Sequence, residues 1–136
     1  MASRYALSPE ARASLKRIRT LVTQTHWRKG VYTDDGEGNK DGKVCYCLVG
    51  LVNHDQSTPS VSPHSPANLN IQTPNTRPRV GVRGEVLWGL AHAIRRYQPR
   101  QRQSIIEDWN DRRATTRDDV LAVIDGALAL TPKDVT

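Results

Sequence analysis

Residues 8–22 read Ser-Pro-Glu-Ala-Arg-Ala-Ser-Leu-Lys-Arg-Ile-Arg-Thr-Leu-Val, and they carry a complete helix signal. Ser8 suits the N-cap, Pro9 the first helical position and Glu10 the first turn, where a carboxylate meets the positive end of the helix. Ala11, Leu15, Ile18 and Val22 then recur at helical spacing and define a core stripe. Arg12, Lys16 and Arg19 form a basic stripe beside it. The helix should run to about Gln24.

The same logic finds a second long helix and a last one. Order starts near Val82, where Val86, Leu90, Ala93, Ile94 and Tyr97 share one face, and Pro99 stops the helix. Trp88 and His92, four apart, fall on the other side of that wheel with Glu85, Arg95 and Arg96. Near the end, Thr116 and Asp119 have the spacing of a capping box, with Val120, Ile124 and Ala127 as the core stripe and Leu121 and Leu128 flanking it. Thr131-Pro132 ends this helix. Between the two, Gln103 to Trp109 predicts a short amphipathic turn with Ile105, Ile106 and Trp109 inward. Asn110-Asp111-Arg112-Arg113 breaks it.

The remaining segments are not helical throughout. Trp27 to Tyr32 alternates loosely and predicts a short extended segment. Thr33 to Gly42 offers oxygens at Asp35, Glu37, Asn39 and Asp41, as a calcium loop would. Lys40 stands where the sharp-turn Gly of an EF-hand belongs, and Tyr46 where its bidentate Glu belongs, so the segment reads as a polar, Gly-rich hairpin tip. Val44 to Val52 is the most apolar piece, expected to enter as a strand and turn into a short buried helix from about Cys47. From Asn53 to Arg79 the composition shifts to Ser, Pro, Asn and Thr. Such a segment buries too little apolar surface to offset its ordering entropy, and 53–79 is expected to be an insertion or lid. The expected fold is mainly α: a single domain over 1–136, of about four helices, one short extended hairpin and a long Ser/Pro-rich loop.

At 136 residues the chain is long enough for one modest core. Phe is absent and aromatics make up 5% of the chain, so Leu, Ile, Val and Ala must build that core around Trp27, Trp88 and Trp109. No signal-peptide run and no membrane span is legible. A Cys45–Cys47 disulfide would close a strained ring two residues wide, so both are read as thiols. Together these predict a soluble, cytoplasmic protein.

Charge is sorted by segment. Residues 1–29 carry seven basic side chains against Glu10, and 77–117 carry ten, all Arg. Residues 30–76 and 118–136 are net acidic, leaving +6 in all. Such a field favours an anionic partner. A nucleic-acid interface would use Arg12, Lys16 and Arg19 with Arg77, Arg79 and Arg83 as phosphate contacts, but no helix-turn-helix or RNA-recognition fingerprint accompanies them. A protein interface would use Trp88, His92, Arg95 and Arg96, extended by Arg100 and Arg102, because an exposed Trp beside Arg is a common interface anchor. That reading predicts that Trp88→Ala spares the fold.

A cysteine-dependent reaction would draw on Cys47 at a helix start, His54 or His92 as base, and Asn110 or Asp111 to orient it. Cys47, His92 and Asp111 are the candidates retained, although no local signature ties them together and two thiols in an apolar run also read as core residues. Zinc could recruit Cys45 and Cys47 with His26, His54, His64 or His92, but a lone Cys-x-Cys pair is a weak metal signal. No metal site, cofactor or catalytic residue is therefore assigned. The expected role is binding, to a protein partner first and nucleic acid as the alternative, with no membrane.

Several pieces taken together carry a resemblance: Trp-x-x-Gly-x-Tyr at Trp27, Gly30 and Tyr32; Cys-x-x-Gly at Cys47 and Gly50; and Trp-Asn-Asp at Trp109, Asn110 and Asp111, ahead of a capped helix at Thr116. In this order they resemble a domain-of-unknown-function family of small actinobacterial and actinophage proteins, departing from it at Leu51, where the family carries Ala. The resemblance implies a bacterial or phage origin and no particular activity. Trp109, Asn110 and Asp111 are expected to plug the core and fix a corner between helices.

Overall fold

A computed structural model describes residues 4–24, 27, 47–56, 81–99, 106–112 and 115–135. They form five α-helices: α1 (Pro9–Thr23), α2 (Leu48–Asp55), α3 (Gly81–Tyr97), α4 (Ile106–Asp111) and α5 (Arg117–Ala129), followed by a 3₁₀ turn over Pro132–Val135. The expected hairpin, the calcium-like segment 33–42 and most of the Ser/Pro-rich stretch lie outside the described residues. No described helix is long and apolar enough to cross a membrane.

Local chemistry accounts for the helix boundaries. The Ser8 hydroxyl accepts from Ala11 N–H at 3.2 Å, with Pro9 and Glu10 following as the sequence predicts. Thr116 and Asp119 close a full capping box: Asp119 N–H donates to the Thr116 hydroxyl at 3.2 Å, and Thr116 N–H to the Asp119 carboxylate at 2.8 Å. Gly81 opens α3 at φ 89°, a left-handed conformation that disfavours any side chain.

Helices α1, α3 and α5 pack on one another, α2 lies against α1 and α3, and α4 against α2. Helix α5 runs antiparallel to α1, since Arg12 meets Leu128 and Arg19 meets Asp125. It runs antiparallel to α3 as well, with Ala93 beside Gly126 and Tyr97 bonded to Asp119. Leu15, Ile18, Leu48, Leu51, Leu87, Leu90, Val120 and Ile124 are fully enclosed, with Trp88 and Trp109 as the bulky fillers. The expected aliphatic core is what forms.

The N-terminal arm completes it. Leu7 is 1% exposed and rests on Gly89, where an added Cβ would lie 2.8 Å from Leu7 Cδ1. Burying one leucine contributes about 1.5–3 kcal/mol, enough to hold a short arm in place. Ala6 N–H donates to Leu130 C=O at 2.8 Å, and the Glu85 carboxylate accepts from both Ser8 N–H and its hydroxyl.

Three expectations need correction. Asn53, His54 and Asp55 belong to α2 rather than to an insertion, because Asn53 and Asp55 are fastened to α3 and α1. Tyr97 is 43% exposed rather than in the core; its hydroxyl donates to Asp119 at 2.7 Å, which turns the ring outward at the helix end. Asn110 and Asp111 continue α4 instead of breaking it.

Candidate functional site

Of the resemblance-bearing residues, Trp27, Cys47, Gly50, Trp109, Asn110 and Asp111 converge on one corner, while Gly30 and Tyr32 lie outside the described residues. On α4, Ile106 and Trp109 point into the core, and Asn110 beside them is fully buried. The Asn110 amide oxygen accepts from the Trp27 indole N–H at 2.6 Å and from Leu48 N–H at 3.1 Å, while its NH₂ donates to Asp111 at 3.0 Å. Cys47 is the N-cap of α2, its sulfur accepting from Gly50 N–H at 3.4 Å. Trp109 donates to Gln98 at 2.8 Å, and the Thr115 hydroxyl donates to Trp109 C=O at 2.7 Å, joining α3 and the start of α5 to the same corner.

The described polar groups of the corner are engaged with one another. A thiol nucleophile at a helix start needs access, together with N–H groups aimed at a developing oxyanion. Cys47 is 4% exposed, Gly50 N–H is taken by its own sulfur, and Leu48 N–H is taken by Asn110. Asp111 is exposed and joined to the corner through Asn110. His92 is 7% exposed on α3, where its ring meets Trp88 edge-on, centroids 4.7 Å apart.

The proposed protein-binding face is therefore corrected at its anchor. Trp88 is 1% exposed, a core residue rather than a surface one. A helical wheel shows which residues share a face but not what lies over it. On the face carrying Glu85 and Gly89, Ser8 bonds to Glu85 and Leu7 rests on Gly89. Arg95 and Arg96 do reach the surface. Arg96 pairs with Asp134, whereas Arg95 has no carboxylate partner among the described residues. Arg100 and Arg102 lie outside the described residues.

Of the α1 basic stripe, Arg19 forks onto Asp125 at 2.7 and 3.2 Å. Arg12 stacks on the Tyr5 ring at 3.6 Å, and Lys16 is exposed. Arg83 donates to Asn53 at 2.6 Å, and Arg77 and Arg79 lie outside the described residues. The stripe expected as one anionic-partner surface is thus divided: Arg19 is neutralised by Asp125, while Arg12 and Lys16 have no carboxylate partner among the described residues.

Sequence reasoning missed a polar clasp between α1 and α2. The Asp55 carboxylate accepts from Arg17 at 2.6 and 2.9 Å, from the Ser14 hydroxyl at 2.5 Å and from Gln56 at 2.8 Å. Burial alone would raise this carboxyl, but the hydrogen bonds from Arg17, Ser14 and Gln56, with the Arg17 charge, outweigh it and hold Asp55 below the ordinary Asp range. Two signals could have found the clasp. Asp55 is the sole acidic residue between Asp41 and Glu85, and Ser14 interrupts the apolar face of α1. An open cleft of about 480 Å³ lies beside it, between Arg17, Thr20, Leu21 and His54.

A family model, DUF6197, a family of unknown function, matches residues 7–130. The chain belongs to that family. The match runs from the buried Leu7 to Leu130 at the end of α5, so it takes in all five described helices and the Asn110 corner. No curated protein and no solved structure matches the chain.

Proposed function

We propose that this DUF6197 protein is a cytoplasmic accessory or regulatory protein, of actinobacterial or phage origin, that acts by binding a protein partner. The chain is taken as one domain, with the Ser/Pro-rich segment as an insertion in it. The contact surface is the cationic end of α3, Arg95 and Arg96, extended along the chain by Arg100 and Arg102. The observation that carries this reading is the state of Arg95. It is exposed with no described carboxylate in reach, while Arg17 and Arg19 on α1 are each forked onto an aspartate.

The signs of charge around that end favour protein over nucleic acid. Asp119 is bonded to Tyr97, Asp134 to Arg96, and Asp118 is exposed on the same first turn of α5. A phosphate backbone laid across this end would meet those carboxylates. A protein face of mixed charge can complement both signs, which is how rim charges select partners.

The test is affinity capture with tagged protein, with and without nuclease, comparing the natural chain with Arg95→Glu. A discrete protein retained after nuclease and lost with Arg95→Glu supports the reading. Recovery of nucleic acid alone, released by salt as phosphate contacts are screened, would replace it with the nucleic-acid alternative.

A further inference from the structure

A second cationic feature lies away from the α3 end, where the N-terminal arm crosses α1 and the last turn of α5. Arg4, Tyr5 and Arg12 form one side of an open pocket of about 290 Å³, with Leu128, Asp125 and Thr131 opposite. The Arg12 guanidinium lies 3.6 Å from the Tyr5 ring centroid and that of Arg4 5.5 Å from it. Arg12 Nε donates to Leu128 C=O at 3.3 Å, which fixes the fork while leaving its terminal NH₂ groups without a described acceptor. Neither Arg4 nor Arg12 has a carboxylate partner among the described residues. The one carboxylate on the pocket wall, Asp125, is already forked by Arg19.

We infer that this pocket binds a small phosphate monoester, its oxygens taken by Arg12 and Arg4 and its organic part resting against Leu128. Charge selects the ligand. Two uncompensated guanidiniums beside a self-neutralised Arg19–Asp125 pair match a group carrying about −1.5 to −2 near neutral pH, and a single carboxylate leaves one of them unanswered. Geometry agrees, since the planar guanidinium fork suits phosphate oxygens and stacking on Tyr5 holds it in place. The ring also covers one guanidinium face, so a bound oxygen would meet Arg12 along its edge, where the N–H groups lie.

The experiment is a nuclear magnetic resonance titration of the full chain with phenyl phosphate, repeated with benzoate and with sodium chloride at matched ionic strength. The expected result is a saturable shift at the Arg4 and Arg12 side chains and the amides of Leu128 and Ala129, with benzoate at least about tenfold weaker. Arg12→Gln should weaken phenyl phosphate by about tenfold or more. Arg4→Gln, an exposed change that leaves the core untouched, should weaken it severalfold and guards against a folding defect in the Arg12 variant. Arg17→Gln, on the other side of α1, should leave it unchanged. Shifts spread over all the arginines, benzoate binding as tightly as phenyl phosphate, or unchanged affinity in Arg4→Gln and Arg12→Gln would each overturn the assignment.

Discussion

The Trp27 indole N–H donates to the Asn110 amide oxygen at 2.6 Å, across 83 positions of chain. The same oxygen accepts from Leu48 N–H at 3.1 Å. One side chain on α4 thereby holds both Trp27 and Leu48.

Asn110→Ala should for that reason be among the most damaging polar changes in the molecule. It leaves the buried Leu48 N–H without an acceptor, at about 1–3 kcal/mol, and releases Trp27 besides. Urea unfolding followed by circular dichroism measures the loss. A change below about 0.5 kcal/mol would mean that water or a neighbour replaces the amide.

Trp88→Ala should destabilise the fold by about 3–5 kcal/mol, as removal of a large core aromatic does. This reverses the expectation from the helical wheel. Thermal unfolding of the variant decides between them: an unchanged midpoint would return Trp88 to the surface.

Acid should loosen the contact between α1 and α2. The folded Asp55 carboxyl lies below its unfolded value, so its contribution is fully present above about pH 4, the unfolded Asp range, and is lost as pH falls through the lower folded value. Asp55→Asn should cost about 1–3 kcal/mol at neutral pH and flatten the acid limb of the stability profile. An acid limb of unchanged slope would show that other carboxylates, such as Asp119, govern it.

Cys47 should react with a neutral-pH thiol reagent only as fast as the fold opens, being 4% exposed and engaged as a helix cap. Cys47→Ser should retain the cap, since a serine oxygen accepts from the same Gly50 N–H. Rapid labelling of Cys47 in the native state would favour the enzyme alternative.

Much of this architecture was legible from local chemistry. Ser8-Pro9-Glu10 and Thr116 with Asp119 marked helix starts because capping is decided within one turn, and both caps form. The core stripes of α1 and α5 were legible because burial of one helical face repeats every three to four residues. The short helix after Cys47 followed from a run too apolar to remain exposed. The functional surface was less legible, for the same reason in each case. Periodicity ranks the faces of a helix but is silent on what covers them, and Leu7 and Ser8 pack onto a face of α3 that the wheel left open.

From the amino-acid order alone came the helical class, most helix boundaries and the aliphatic core, because those depend on neighbours within about four residues. Kinship with an uncharacterised family was also expected from the sequence, and the DUF6197 match over residues 7–130 shows that much. Packing was needed to show which charges remain available: Arg17 and Arg19 found aspartates on other helices, while Arg4, Arg12 and Arg95 have none among the described residues. Packing also turned Trp27, Cys47 and Asn110 into one corner. Ion pairs and buried hydrogen bonds join residues distant in sequence, and whether a partner lies within a few ångströms is a property of the assembled helices.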